Sequence, residues 1–122
     1  MNRIELQQRT KRFHIDIIKL CRGFPKNAVG FETAKQLIRA AGSVGANYRA
    51  TKRAKSNADF IYKIQIVLEE ADESLYWLEV INEAEIKTGE EVEKLIDEAN
   101  QLTAIFAATD KTAKQNKSKS DI

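Results

Sequence analysis

Hydrophobic residues recur with a helical period in four segments of this sequence, and this periodicity constrains the fold more than any other feature. The longest segment begins at Phe60 and keeps a period of about 3.6 residues for about twenty-five residues. Glycine and proline together supply only six of the 122 residues, a composition that favours long helices over a loop-rich β-sandwich. We therefore predict an all-α fold.

The four segments predict helices over residues 4–22, 34–54, 57–86 and 89–109. Gly23 and Pro25 end the first helix, because proline cannot continue the hydrogen-bond ladder. Capping boxes predict where the other helices start: Thr33 with Gln36, Ser56 with Asp59, and Thr88 with Glu91. Amphipathic helices joined by short connections typically form an antiparallel, up-down-up-down four-helix bundle, so we predict that residues 1–109 form one such domain.

The last thirteen residues differ from the rest of the chain. Residues 110–122 have no apolar periodicity and almost no core-forming side chains. A segment that cannot bury apolar surface does not offset the entropy lost on ordering. We predict a disordered polar tail.

The sequence predicts neither export nor membrane insertion. Residues 1–11 are polar and lack the apolar region of a signal peptide, and no apolar run approaches the ~20 residues that cross a bilayer. The single cysteine, Cys21, has no partner for an internal disulfide and lies in an apolar stripe. We expect a cytoplasmic protein with no membrane partner.

Two glycines interrupt the second predicted helix, at Gly42 and Gly45. Each glycine costs ~1 kcal/mol relative to alanine in a helix interior. We therefore predict that another backbone approaches the second helix closely at these positions.

The residue inventory gives no support for an enzyme. Carboxylate-bridged iron sites in helical bundles need two Glu-x-x-His motifs, but His14 is the only histidine. Nucleophilic catalysis needs a nucleophile beside a positioned base, whereas Cys21 in its apolar stripe is typical of a buried structural thiol. We predict a protein without catalytic residues, metal or cofactor.

The net charge of +2 hides a strong asymmetry along the chain. Residues 1–55 carry thirteen Lys or Arg and three acids, a net charge of +10, while residues 56–109 sum to −10. A basic half either faces a polyanion or pairs with the acidic half. On the first reading, the phosphate-binding candidates are Arg39, Arg49, Lys52, Arg53 and Lys55. On the second reading, the same side chains form ion pairs with the third and fourth helices.

The third predicted helix offers more apolar surface than one partner helix covers. Such a helix is buried on two sides, by its own bundle and by another subunit. Large aromatic side chains at helical spacing are more typical of core or interface anchors than of base-stacking platforms. The predicted oligomer-interface residues are Tyr62, Ile66, Tyr76 and Trp77.

Three short motifs connect this sequence to a known family: Ala-Asn-Tyr-Arg at 46–49, Ser-x-x-Asp-Phe at 56–60 and Tyr-Trp-Leu at 76–78. With them, residues from about 10 to 107 resemble the four-helix-bundle proteins encoded by intervening sequences in bacterial 23S ribosomal RNA genes. The chain also looks like the related accessory variability proteins of diversity-generating retroelements. The resemblance implies a ring-like homopentamer of bundles.

The resemblance implies two kinds of partner. For the intervening-sequence members it implies association with ribosomal RNA or the ribosome, and for the retroelement members it implies binding to a reverse transcriptase and nucleic acid. Our first hypothesis is a non-enzymatic, oligomeric, RNA-associated protein that uses the basic residues of the first two helices. The alternative is a protein-interaction scaffold in which those residues are used for helix pairing.

Overall fold

The computed structural model describes the backbone of residues 1–120 and the side chains of residues 1–116. Over this part of the chain the fold consists of four α-helices joined by short connections, with a 3₁₀ turn at Thr51–Arg53 directly after the second. The helices are α1 (Arg3–Cys21), α2 (Ala28–Ala50), α3 (Asn57–Glu83) and α4 (Glu90–Ser120). The predicted all-α, four-helix fold is confirmed.

The helices form a square bundle in which neighbours run antiparallel. α1 and α3 each pack against both α2 and α4. Arg3, at the start of α1, donates to the Thr51 hydroxyl just after α2 at 2.9 Å. Asn57, at the start of α3, donates to the Ala113 carbonyl late in α4 at 3.2 Å. The bundle therefore has the predicted up-down-up-down topology.

One hydrophobic core runs along the bundle axis, and every helix contributes to it. Its largest fully buried side chains include Phe13, Ile17, Leu37, Ile64, Leu78, Leu102 and Phe106. On α3, Phe60 and Leu75 are only partly buried, whereas Ile61 and Ser74 are buried. The Ser74 hydroxyl donates to the Glu70 carbonyl at 2.8 Å, so this buried polar group is satisfied within the helix.

α2 begins six residues earlier than the capping-box pattern predicts. Asn27 is the N-cap, and its side chain accepts a hydrogen bond from the Gly30 N–H at 2.9 Å. The Thr33 hydroxyl instead donates to the Val29 carbonyl at 2.8 Å, as a residue inside the helix does. Gly30 allows this early start, because a Cβ there would lie 1.9 Å from the Pro25 carbonyl oxygen.

The start of α3 follows the predicted cap. Ser56 accepts a hydrogen bond from the Asp59 N–H at 3.0 Å, and the Asp59 carboxylate accepts from the Lys55 N–H at 3.0 Å. These bonds satisfy N–H groups that have no partner inside the helix. α4 begins at Glu90, after Gly89 adopts a φ of +113° that side chains rarely tolerate.

The two interior glycines of α2 both face α1, but what approaches them differs. A Cβ on Gly45 would lie 3.5 Å from the Thr10 backbone, so the predicted backbone approach is confirmed there. A Cβ on Gly42 would lie 2.9 Å from the His14 Nε2 atom. At Gly42 the neighbour is therefore a side chain, which the sequence did not indicate.

The structure differs from the predicted disordered tail over most of its length. α4 continues to Ser120, so residues 110–120 are helical, and residues 121–122 lie outside the described part of the chain. Ala113 is only 5% exposed, and its carbonyl accepts the hydrogen bond from Asn57. The extension of α4 is therefore anchored on the start of α3, a contact that periodicity within residues 110–122 does not reveal.

Candidate nucleic-acid interface

Four of the five predicted phosphate-binding residues lie together where α2 ends. Arg49 is on the last turn of α2, Lys52 and Arg53 are on the 3₁₀ turn, and Lys55 is in the connection to α3; all four are exposed. Thr51 is buried, and its hydroxyl donates to the Tyr48 carbonyl at 2.6 Å. This anchor holds the turn against the core while the cations beside it face solvent. We call Arg49, Lys52, Arg53 and Lys55 the basic end.

Arg39 does not belong to this cluster. It lies ten residues before Arg49, which is about 15 Å along a helix. Its guanidinium pairs with the Glu70 carboxylate of α3 at 3.3 Å and also with Glu73. The hydrogen bond to Glu73 raises the pKa of Arg39, while burial raises the pKa of Glu70 and Arg39 opposes that rise. Arg39 therefore links α2 to α3.

Ion pairing between the basic and acidic halves is limited. Within the described side chains, two of the thirteen cations in residues 1–55 reach acids of α3 or α4. They are Arg39 and Arg9, and Arg9 donates to both Glu98 oxygens, at 2.8 and 2.6 Å. In the same part of the chain, no side chain of the basic end forms a direct ion pair, although the charge of Lys55 assists the Lys63 hydrogen bond in lowering the pKa of Asp59. Internal pairing therefore leaves the basic end available to an outside anion.

A groove between α1 and α2 adjoins the basic end. It has a volume of ≈ 330 Å³, and we call it the α1–α2 groove. Its lining residues are Gln7, Lys11, His14, Gly42, Gly45, Ala46, Arg49 and Arg53. Sequence reasoning included Lys11 only among the basic residues of the first helix and did not assign His14 to any site. The available signal was their spacing with Gln7, at i, i+4 and i+7, which places all three on one face of α1.

The predicted interface residues fall into two groups. Tyr62 and Tyr76 are 64% and 58% exposed, and Ile66 lies partly buried between them on the outer side of α3. We call these three residues the tyrosine face. Trp77 is mostly turned inward, with its ring 5.4 Å from that of Tyr76 in an edge-to-face arrangement. The buried Trp77 Nε1 has no hydrogen-bond partner among the described residues.

Cys21 is partly buried and packs against the core. Burial raises the pKa of its thiol to about 12. Because the thiolate is the nucleophile in cysteine chemistry, this environment disfavours reaction at neutral pH.

The described helices do not include one that is both long and apolar enough to cross a bilayer. Over the same residues, no three His, Cys, Asp or Glu side chains are grouped as metal ligands.

Comparisons with known proteins identify the family of this chain. The family model for 23S rRNA-intervening sequence proteins matches residues 2–108. A crystal structure of a protein of unknown function from the S23 ribosomal protein family of Bacteroides thetaiotaomicron has 31% identity and a TM-score of 0.82. That match covers 91% of this chain and 99% of the Bacteroides chain. No curated protein is significantly similar. The family match spans almost all of the predicted bundle and confirms the resemblance carried by the three motifs, so this chain belongs to the family of 23S rRNA-intervening sequence proteins.

Proposed function

We propose that this protein is a non-enzymatic RNA-associated protein that contacts RNA phosphates through its basic end. One observation carries the proposal. Arg49, Lys52, Arg53 and Lys55 lie within seven consecutive residues, are exposed and have no ion-pair partner among the described side chains. Like charges held this close repel one another, so a polyanion that binds there relieves the repulsion.

The shape of the basic end suits backbone contacts rather than sequence reading. Its cations stand on a helix end, a tight turn and the connection to α3, and not along the exposed length of one helix. Cationic side chains bind phosphate without reading bases, and each contact makes affinity fall as salt rises. We therefore propose structured RNA, with ribosomal RNA or the ribosome as the partner that the family name favours.

We further propose that copies of this chain associate through the tyrosine face into a homo-oligomer, with a pentamer as the arrangement implied by the family resemblance. Exposed tyrosines on one side of α3 are the observation that supports it. Association would repeat the basic end once per subunit. Several weak phosphate contacts would then act on one RNA, which raises the apparent affinity without new contacts.

The test is the binding of fluorescently labelled structured RNA, followed by anisotropy from low to physiological salt. The test variant carries Arg49→Glu, Lys52→Glu and Arg53→Glu. Its control carries Lys19→Glu, Arg22→Glu and Lys26→Glu, which make the same charge change at the other end of the bundle. For three lost phosphate contacts, we expect the slope of log affinity against log salt to become shallower by about 3.

If the two variants lose RNA affinity equally, RNA binding depends only on the net charge of the protein. That result would remove the assignment of RNA binding to the basic end. Absence of binding by the wild type, even at low salt, would remove the RNA proposal itself. A protein-interaction scaffold, such as one that binds a reverse transcriptase, would then be the better proposal. The tyrosine face favours that alternative, because it offers aromatic anchors of the kind that protein interfaces use.

A further inference from the structure

We propose that the α1–α2 groove seats a backbone phosphodiester of the bound RNA, so that the RNA follows a path from the basic end into the groove. This inference rests on the proposed function and specifies it. It assigns contacts to Lys11 and His14, which lie on α1, outside the basic end. It also predicts that binding depends on the shape of the groove as well as on charge.

The groove exists because α2 presents almost no side chain along this line. Gly42, Gly45 and Ala46 follow one another at i, i+3 and i+4, so they form one strip of the helix surface. At Gly45 the α1 backbone comes close, and at Gly42 the His14 ring occupies the space of the missing Cβ. This strip of α2 therefore forms the floor of the groove, and side chains of α1 form its wall.

Arg49 and Arg53 continue the same strip at i+7 and i+11 from Gly42 and close one end of the groove with cations. Lys11 contributes a third cation from the α1 wall. Arginine and lysine offer several N–H donors each and no acceptor. Gln7 and His14 add side chains that are also able to donate a hydrogen bond. A phosphodiester, with one negative charge shared by its two non-bridging oxygens, matches this set of donors.

The charge of the groove sets it apart from three other surface cavities of the described residues. No carboxylate lines it. The cavity between α1 and α4 combines Arg12, Lys19 and Lys94 with three acids. A second cavity along α1 combines its cations with Glu5, and a third, between α3 and α4, has no charged lining residue. Among these four cavities, the α1–α2 groove has cations with no neutralising acid.

Arg49 and Arg53 belong to both the groove and the basic end, so the two surfaces are continuous. Consecutive phosphates of a nucleic-acid strand lie several ångströms apart, and a strand that binds Lys52 and Lys55 extends beyond them. The groove is the adjoining surface on which further cations converge. A phosphate seated there would place the RNA against α1 as well as α2.

The first experiment fills the groove with negative charge. Ala46→Glu puts a carboxylate on its exposed floor, and Ala104→Glu makes the same change at an exposed position of α4. In the anisotropy assay we expect Ala46→Glu to weaken RNA binding about tenfold or more and Ala104→Glu to have little effect. A second pair, Lys11→Gln with Lys19→Gln as control, tests the α1 wall without adding a carboxylate. Circular dichroism checks that all four variants keep the helical fold.

The second experiment reads the groove directly. Because His14 is the only histidine, its ring gives a single Hε1 resonance that reports on this site. At constant pH, the protein is titrated with a short single-stranded RNA oligonucleotide and, separately, with inorganic phosphate. We expect the oligonucleotide to shift this resonance in the wild type and in Ala104→Glu, but not in Ala46→Glu. We expect inorganic phosphate at the same phosphate concentration to have little effect.

The outcomes separate the two proposals. If the wild type binds RNA but Ala46→Glu and Lys11→Gln behave like their controls, the groove assignment is overturned and the basic end alone remains. If only inorganic phosphate shifts the His14 resonance, the groove is a small-anion site and the RNA path is wrong. If no RNA binds and neither titrant shifts the resonance, both proposals fail together.

Discussion

At the scale of single residues, the same amino acid has different consequences at positions one turn apart. Gly42 and Gly45 both stand inside α2 and both lack the side chain that would stabilise the helix. Their surroundings differ, because a Cβ at Gly45 meets the α1 backbone at an ordinary contact distance of 3.5 Å, while a Cβ at Gly42 meets the His14 ring at 2.9 Å. The helix propensity is a local property, but whether alanine fits is decided by α1.

We expect Gly45→Ala to stabilise the protein and Gly42→Ala to do so less, or to destabilise it. Alanine improves helix propensity by about 0.8–1 kcal/mol at either position, but at Gly42 the His14 ring has to move to admit the methyl group. The free energy of unfolding from urea titrations measures both effects. Equal stabilisation by the two substitutions would show that the His14 ring moves without cost.

At the scale of the elements, two basic residues form ion pairs between helices. The sequence alone does not distinguish these two from the other basic residues of the first two helices. Arg39 joins α2 to α3, and Arg9 joins α1 to α4 through both oxygens of Glu98. The Arg9 pair is about three-quarters buried, with side-chain exposures of 24% and 26%, whereas the Arg39 side chain is 47% exposed. Exposed pairs contribute little on average, so we attribute to Arg39 a modest contribution that depends on pH.

We expect Arg39→Ala to lower the free energy of unfolding at pH 7 by up to about 1 kcal/mol, and by less as the pH falls. Arg39 opposes the burial and the Glu73 charge that raise the pKa of Glu70, so its removal raises that pKa further. A carboxyl whose pKa is higher in the folded state supports folding fully below its unfolded value, near 4.5, and loses that support as pH rises. The deficit is therefore expected at neutral pH and largely absent near pH 4.

Urea titrations at several pH values measure this dependence. Arg12→Ala is the matched control, because Arg12 is exposed and, among the described side chains, forms an ion pair only with Asp16 of its own helix, at 3.9 Å. If Arg39→Ala lowers the free energy of unfolding by the same amount from pH 4 to pH 7, Arg39 does not act through the pKa of Glu70.

The extension of α4 provides a second test at this scale. We expect a chain that ends after Thr109 to be less stable by about 1 kcal/mol or more, because it loses the burial of Ala113 and the hydrogen bond from Asn57. A chain that ends after Asn116 keeps both contacts and serves as the control. Thermal unfolding followed by circular dichroism compares the two. Identical stabilities of the two chains would show that residues 110–116 do not stabilise the bundle.

At the scale of the whole molecule, the bundle leaves two different surfaces unused within one chain. The basic end lies where α2 meets α3, and the tyrosine face runs along the outer side of α3. One is charged and suits a polyanion, while the other is aromatic and suits protein. The two proposals about RNA and self-association therefore concern separate surfaces, and each is tested with its own variants.

If the tyrosine face joins copies of the chain, we expect Tyr62→Ser combined with Tyr76→Ser to reduce the assembly to monomers. The reason is that these two large rings are the most exposed side chains of that face. Light scattering coupled to size exclusion gives the mass of each species. Val29→Ser with Phe31→Ser is the control, since these side chains are 59% and 64% exposed at the start of α2. A wild-type chain that is monomeric at all concentrations would contradict the proposed association.

Local interactions were enough to predict the four helices, the cap at Ser56 and the antiparallel order, because helical period and capping depend on residues three or four apart. The same information was insufficient where several local signals compete. Asn27 replaced Thr33 as the cap of α2, because Gly30 removes the side chain that would clash with Pro25. The family was also recognisable from short motifs in the sequence alone, and the family match over residues 2–108 confirms it.

The sequence by itself determined the element types, their order and the separation of charge into a basic and an acidic half. Only the tertiary structure decided which basic residues remain available, because that depends on how each helix is rotated toward its neighbours. Arg39 and Arg49 share one helix, yet Arg39 meets Glu70 and Glu73 while Arg49 borders a groove without acids. That groove is formed by residues of α1 and α2 that are about thirty or more positions apart, and contacts at such separation have no signature in the period of either helix.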